Sequence, residues 1–150
     1  MTEVAFHFNV PDKMNYVCRL LRKASQAQAR VVVSGPHQEL HTLDEALWSF
    51  SPQSFVTHCW ANDDSAKASL SSVVLKASDT TPEEATMPHH HILLNLGNAI
   101  PLGYETFERV IEVVGVGEDD KTHARERWKH YAQRGYTLVK HDLGSRTASP

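Results

Sequence analysis

Hydrophobic positions recur along this chain with two periods, and the switch between them marks out most of its elements. Val4, Phe6 and Phe8 occupy every second position, which predicts a strand with one strongly apolar face. Pro11-Asp12 stops it, and Asp12 stands where it can cap the segment that follows. Met14, Val17, Leu20, Leu21 and Ala24 then keep a helical period to about Gln28. Arg30 to Val33 is a short β-branched run of the kind covered on both faces, broken at Ser34-Gly35-Pro36. Leu40, Leu43, Ala46 and Leu47 restore the helical period from about His37 to Trp48. This order is a βαβ opening, and it predicts helices packed around a mostly parallel sheet.

The middle is less regular. Ser54 to His58 and Val73 to Lys76 read as short strands, separated by the small and polar stretch Ala61 to Ser71. Asp79 to Pro88 reads as a second loop, and Ile92, Leu93, Leu94 and Leu96 as a further buried strand. Tyr104 to Arg109 is a short helical piece. The β-branched run Val110, Ile111, Val113, Val114 favours a strand after it, although the helical piece could also continue. Tyr136 to Lys140 makes a last strand and His141 to Pro150 a polar tail, its final residues 144–150 lying beyond the domain 1–143.

Between the last two strands, Lys121 to Arg134 carries most of the clustered basic charge, and Gly135 ends it. At helical spacing Ala124, Trp128 and Tyr131 share one face, while Lys121, Arg125 and Lys129 recur every four residues along another. Glu118 to Asp120 place acidic residues at the start of the helix, where its dipole favours them. By pattern alone the basic stripe reads first as a solvated surface.

Composition narrows the choices. The chain has 150 residues, enough for one domain with a core of its own, and a formal net charge of -3 with a pI near 6.3. No overall positive field draws it to nucleic acid or to an anionic membrane, so any anion site is local. Cys18 and Cys59 form no CxxC pair and suit a reducing cytosol, and no run approaches a membrane span, so the expectation is a soluble, cytoplasmic protein.

A βαβ opening raises the question of nucleotides, yet the phosphate-binding loops are missing. The turn Asn9-Val10-Pro11-Asp12 has no glycine, and Gly115-Val116-Gly117 lacks the third glycine and precedes three acidic residues. Ten histidines include the run His89-His90-His91, but neighbours on a strand alternate faces and no second pair completes a metal site. His58-Cys59 has the residue types of a nucleophile and base without the spacing. No cofactor, metal or catalytic constellation is expected.

Two blocks carry a resemblance. Leu43-Asp-Glu-Ala-Leu-Trp48 with Phe50, Ser54-Phe55 and His58, and Ala124-Arg-Glu-Arg-Trp-Lys129 with Gly135-Tyr136, resemble the chi-subunit family of bacterial DNA polymerase III. The order of elements matches along nearly the whole chain. The resemblance implies a single-domain, Rossmann-like three-layer α/β sandwich without a phosphate-binding loop. It also implies a non-catalytic role in DNA replication: a clamp-loader accessory subunit that joins the psi subunit and binds the acidic C-terminal tail of single-stranded-DNA-binding protein. Carried over by position, the tail site would use Lys121, Arg125 and Lys129 with Val114 in an apolar pocket, and the psi-facing surface would centre on Trp48 and Phe55. Sequence alone leaves Trp48 and Phe55 equally open to core burial. Thr57 stands where the family usually has proline. The alternative is a direct single-stranded nucleic-acid binder that uses the same helix with Trp128 as a stacking platform.

Overall fold

The computed structural model describes residues 2–49, 58–60, 72–77, 91–101 and 103–143. Seven strands appear among them: β1 (Glu3–Val10), β2 (Val31–Gly35), β3 (His58–Trp60), β4 (Val73–Ala77), β5 (Ile92–Asn95), β6 (Arg109–Gly115) and β7 (Thr137–Asp142). Three α-helices accompany them, α1 (Lys13–Gln26), α2 (His37–Ser49) and α3 (Glu118–Gln133), with a single 3-10 turn at Tyr104–Thr106. The strands form one sheet in the order β3-β4-β2-β5-β6-β1-β7, and each paired neighbour is parallel.

The layers follow from strand alternation. Val17, Cys18 and Leu21 of α1 and Leu40, Leu43 and Leu47 of α2 pack with Val31, Val33, Leu75, Ile92, Leu94, Ile111 and Val113 on one face. Val4, Phe6, Val32, Leu93, Val110 and Val114 point to the other, where Ala124 and Tyr131 of α3 cover them. The result is the expected three-layer Rossmann-like sandwich. Asp12 caps α1 as its position suggested, accepting from the Asn15 N–H at 3.1 Å. Gly135, at a φ of 78°, takes the left-handed turn that ends α3 at little steric cost.

Several boundaries differ from the sequence expectation. The βαβ opening places β1 and β2 parallel but not adjacent, because β5 and β6 lie between them. The second strand begins at Val31 and continues through Ser34 and Gly35, so Pro36 alone ends it. The helical piece at Tyr104 is one 3-10 turn and does not run on into β6. His141 and Asp142 belong to β7, not to a tail, because they pair with His7 and Phe8 of β1. The strand expected at Ser54 to His58 is described only from His58, so Phe55 and Thr57 lie outside the described residues, as do Ala61 to Ser71, Asp79 to Pro88 and 144–150.

Candidate functional site

The four residues expected to hold an acidic tail lie together. A cleft of about 510 Å³ opens between α3 and the sheet, lined by Lys121, Ala124, Arg125, Trp128 and Lys129 of α3, Val114 of β6, Phe6, Phe8 and Asn9 of β1, and Lys140 of β7. Its apolar floor comes from the alternation that puts Phe6 and Val114 on the α3 face. Trp128 packs edge-on against Phe6, with ring centroids 5.1 Å apart, and is half-buried, so it both anchors α3 and forms part of the wall.

Charge lines the same cleft. Lys121, Arg125 and Lys129 stand one helical turn apart, and Lys140 reaches in from β7 with its Nζ 5.0 Å from the centre of the Trp128 ring. Among the described residues no carboxylate lies within ion-pair distance of any of these four cations. In a chain of net charge -3, four such cations around one cleft make a local positive field that an anion relieves. Asn9 sits at a strand irregularity between His7 and Val10, in the left-handed region at a φ of 59°, and its amide donates to Asp142 at 2.9 Å.

Beneath the cleft, the other side of α3 is fixed by a buried polar network. The Glu112 carboxylate, fully buried in the middle of β6, accepts from Arg127 Nε at 2.9 Å, Tyr131 Oη at 2.7 Å and Asn95 Nδ2 at 2.9 Å. Arg127 also donates to the Asn98 carbonyl at 3.0 Å. Burial pushes the Glu112 carboxyl up from its ordinary value, and Arg127, Tyr131 and Asn95 pull it back. Burial and the adjacent Glu112 charge likewise push the Tyr131 hydroxyl upward, so it acts as a donor here and not as an acid.

At the start of α3 an acidic side chain turns back onto the end of β6. Asp120 accepts from the Gly115 N–H at 3.0 Å and from Lys13 Nζ at 3.3 Å, so a carboxylate of the chain itself already engages a backbone donor and a cation there. A Cβ at Gly115 would stand 2.9 Å from that Asp120 oxygen, so a larger residue would push the carboxylate away from this position. Partial burial works against the Asp120 charge, but the Gly115 N–H and the Lys13 ammonium hold its carboxyl below the usual range.

Trp48, at the end of α2, is 63% exposed, which sets aside its core-burial alternative. It meets the edge of His58, whose Nε2 pairs with Asp44 at 2.9 Å on the same helix. His91 accepts the Arg30 N–H at 3.2 Å, and no group of metal-ligating side chains occurs among the described residues. No described helix is long and apolar enough to cross a membrane.

Sequence reasoning did not single out Arg127, Glu112 or Lys140. Glu112 did carry a signal: a carboxylate inside the run Val110 to Val114 needs a buried partner. Lys140 carried none, because its place beside Trp128 arises from the pairing of β7 with β1 in the register Phe6 to Lys140.

Known proteins resemble this chain along most of its length. A model of the family described as DNA polymerase III chi subunit, HolC, matches residues 1–139. The chain is 28% identical to the DNA polymerase III subunit chi of Pseudomonas aeruginosa, over 95% of this chain and 98% of that one. Subunit chi of Escherichia coli is 25% identical over 81% and 80% of the two chains, and that of Haemophilus influenzae 26% over 85% of each. With the match extending from the first strand into the last, the chain belongs to the DNA polymerase III chi subunit family.

Proposed function

We propose that this protein is a non-catalytic adaptor of the clamp loader, joined to it through a psi subunit and binding the acidic C-terminal tail of single-stranded-DNA-binding protein in the α3 cleft. The observation that carries the proposal is the lining of that cleft: Val114, Lys121, Arg125 and Lys129 share one apolar-floored cavity, with no carboxylate partner for its cations among the described residues. An acidic peptide ending in phenylalanine matches this chemistry at both ends. Phe6, Phe8 and Val114 offer an apolar seat for the ring, the planar Arg125 guanidinium offers a fork to the terminal carboxylate, and the lysines face the upstream aspartates.

The exposed Trp48 supports a psi-facing surface on the opposite layer, at the end of α2, with Phe55 as its expected companion. Such an arrangement separates the two partners across the sheet, so both can be held at once. A short tail buries little surface and loses entropy on ordering, so each contact should be roughly micromolar. Retention on coated DNA then comes from several tails on one partner together with the clamp-loader tether.

Calorimetric titration with a tail peptide tests the cleft. Arg125→Ala should weaken binding about tenfold, as expected for a lost charge-assisted fork. An unchanged titration would remove the assignment. The direct nucleic-acid alternative requires an accessible indole face, whereas Trp128 packs on Phe6 and carries the Lys140 ammonium near its ring. Gel shift with naked single-stranded DNA separates the two: tight, salt-sensitive binding without a protein partner would favour the alternative.

A further inference from the structure

We infer that Lys140 forms a second charged wall of the α3 cleft and makes it a two-sided reader of an extended acidic peptide; this deepens, and rests on, the peptide-binding function proposed above. Two spacings match. Lys121, Arg125 and Lys129 recur every four residues, so along the α3 axis they stand about 6 Å apart. An extended peptide advances about 3.3 Å per residue with side chains on alternate sides, so every second residue recurs at about 6.6 Å. The two repeats nearly coincide. The α3 stripe therefore reads acidic side chains of one parity, and those of the other parity point away from it.

Lys140 stands where that second set points. The register of β7 with β1 pairs Lys140 with Phe6, which directs it to the same sheet face as the cleft floor. It is exposed, comes from a different element than the other three cations, and has its Nζ 5.0 Å from the Trp128 ring centre. Asp142 shares that sheet face two residues further on, but its carboxylate accepts from the Asn9 amide and makes no ion pair with Lys140. The indole thus keeps the ammonium at the cleft mouth without neutralising it. A peptide lying between α3 and β7 would have its alternate carboxylates divided between the two walls.

The test is calorimetry with synthetic peptides that end in a free phenylalanine carboxylate. One carries consecutive aspartates before it, and two others alternate aspartate with asparagine in opposite parity. Lys140→Gln should weaken the all-aspartate peptide roughly threefold, the scale of one exposed ion pair, and should weaken one alternating peptide while leaving the other unchanged. Lys129→Gln should show the opposite preference, and Lys140→Arg should bind as the parent does. Equal losses on both alternating peptides, or none on any while Arg125→Ala still weakens all three, would overturn the second wall alone. If Arg125→Ala also left every titration unchanged, the peptide-binding function itself would fall.

Discussion

Arg125 and Arg127 lie two residues apart on α3 and have opposite fates. Arg127 is buried, paired with Glu112 at 2.9 Å and bonded to the Asn98 carbonyl, whereas Arg125 is exposed in the cleft with no carboxylate partner among the described residues. A two-residue step turns a helix by roughly 200°, so one guanidinium meets the sheet and the other meets solvent. Charge on the inner side of α3 serves the fold, and charge on its outer side is available to a partner. A buried pair must be completed by its neighbours, and Tyr131 and Asn95 complete this one. An uncompensated cation beside an apolar floor is the arrangement that a ligand completes.

The sharpest way to break the contrast is to exchange the fates. Arg127→Ala leaves the Glu112 charge buried without its cation and should cost about 3–5 kcal/mol of stability, read by chemical denaturation. A loss no larger than that of a surface substitution would mean the pair does not hold α3. Arg125→Ala should do the reverse: stability should stay within about 0.5 kcal/mol, while peptide affinity falls about tenfold, or ~1.4 kcal/mol. A smaller effect belongs to Asp120, whose carboxyl lies below its ordinary value of 3.8 in the folded protein. Its contribution is present above that value and is lost as pH falls through the folded one. Asp120→Asn should therefore cost about 1 kcal/mol at neutral pH, and its stability should converge with the parent's as pH drops below about 4. Smallest of all, Trp48→Ser should change stability by less than about 0.5 kcal/mol, since the side chain is 63% exposed, yet should reduce capture of a psi subunit in a pull-down. An intact pull-down would dissociate Trp48 from that surface.

Much of this was legible in sequence because periodicity reports which face is apolar. The alternation Val4, Phe6, Phe8 gave β1 and the cleft floor, and the four-residue repeat of Lys121, Arg125 and Lys129 gave its basic wall. What was not legible depends on pairing. Nothing in the βαβ opening says that β5 and β6 insert between β1 and β2. Lys140 looked like the end of a strand, and only the β1 to β7 register brings it beside Trp128. Arg127 was hidden for another reason: in a helix with mean composition this polar, a buried arginine is indistinguishable from its exposed neighbours until its partner is located. Glu112, alone among valines and isoleucine, was the available clue. Trp128, placed by helical spacing on one face with Ala124 and Tyr131, packs on Phe6 and also walls the cleft.

Recognition of a terminal carboxylate by Arg125 can be tested with one acidic peptide whose phenylalanine carboxylate is free or amidated. Titrated into the parent protein, amidation should weaken binding about tenfold, the value of one charge-assisted fork. Titrated into Arg125→Ala, the two peptides should bind alike and as weakly as the amidated one binds the parent. If amidation weakened binding equally in both proteins, Arg125 would not hold the carboxylate.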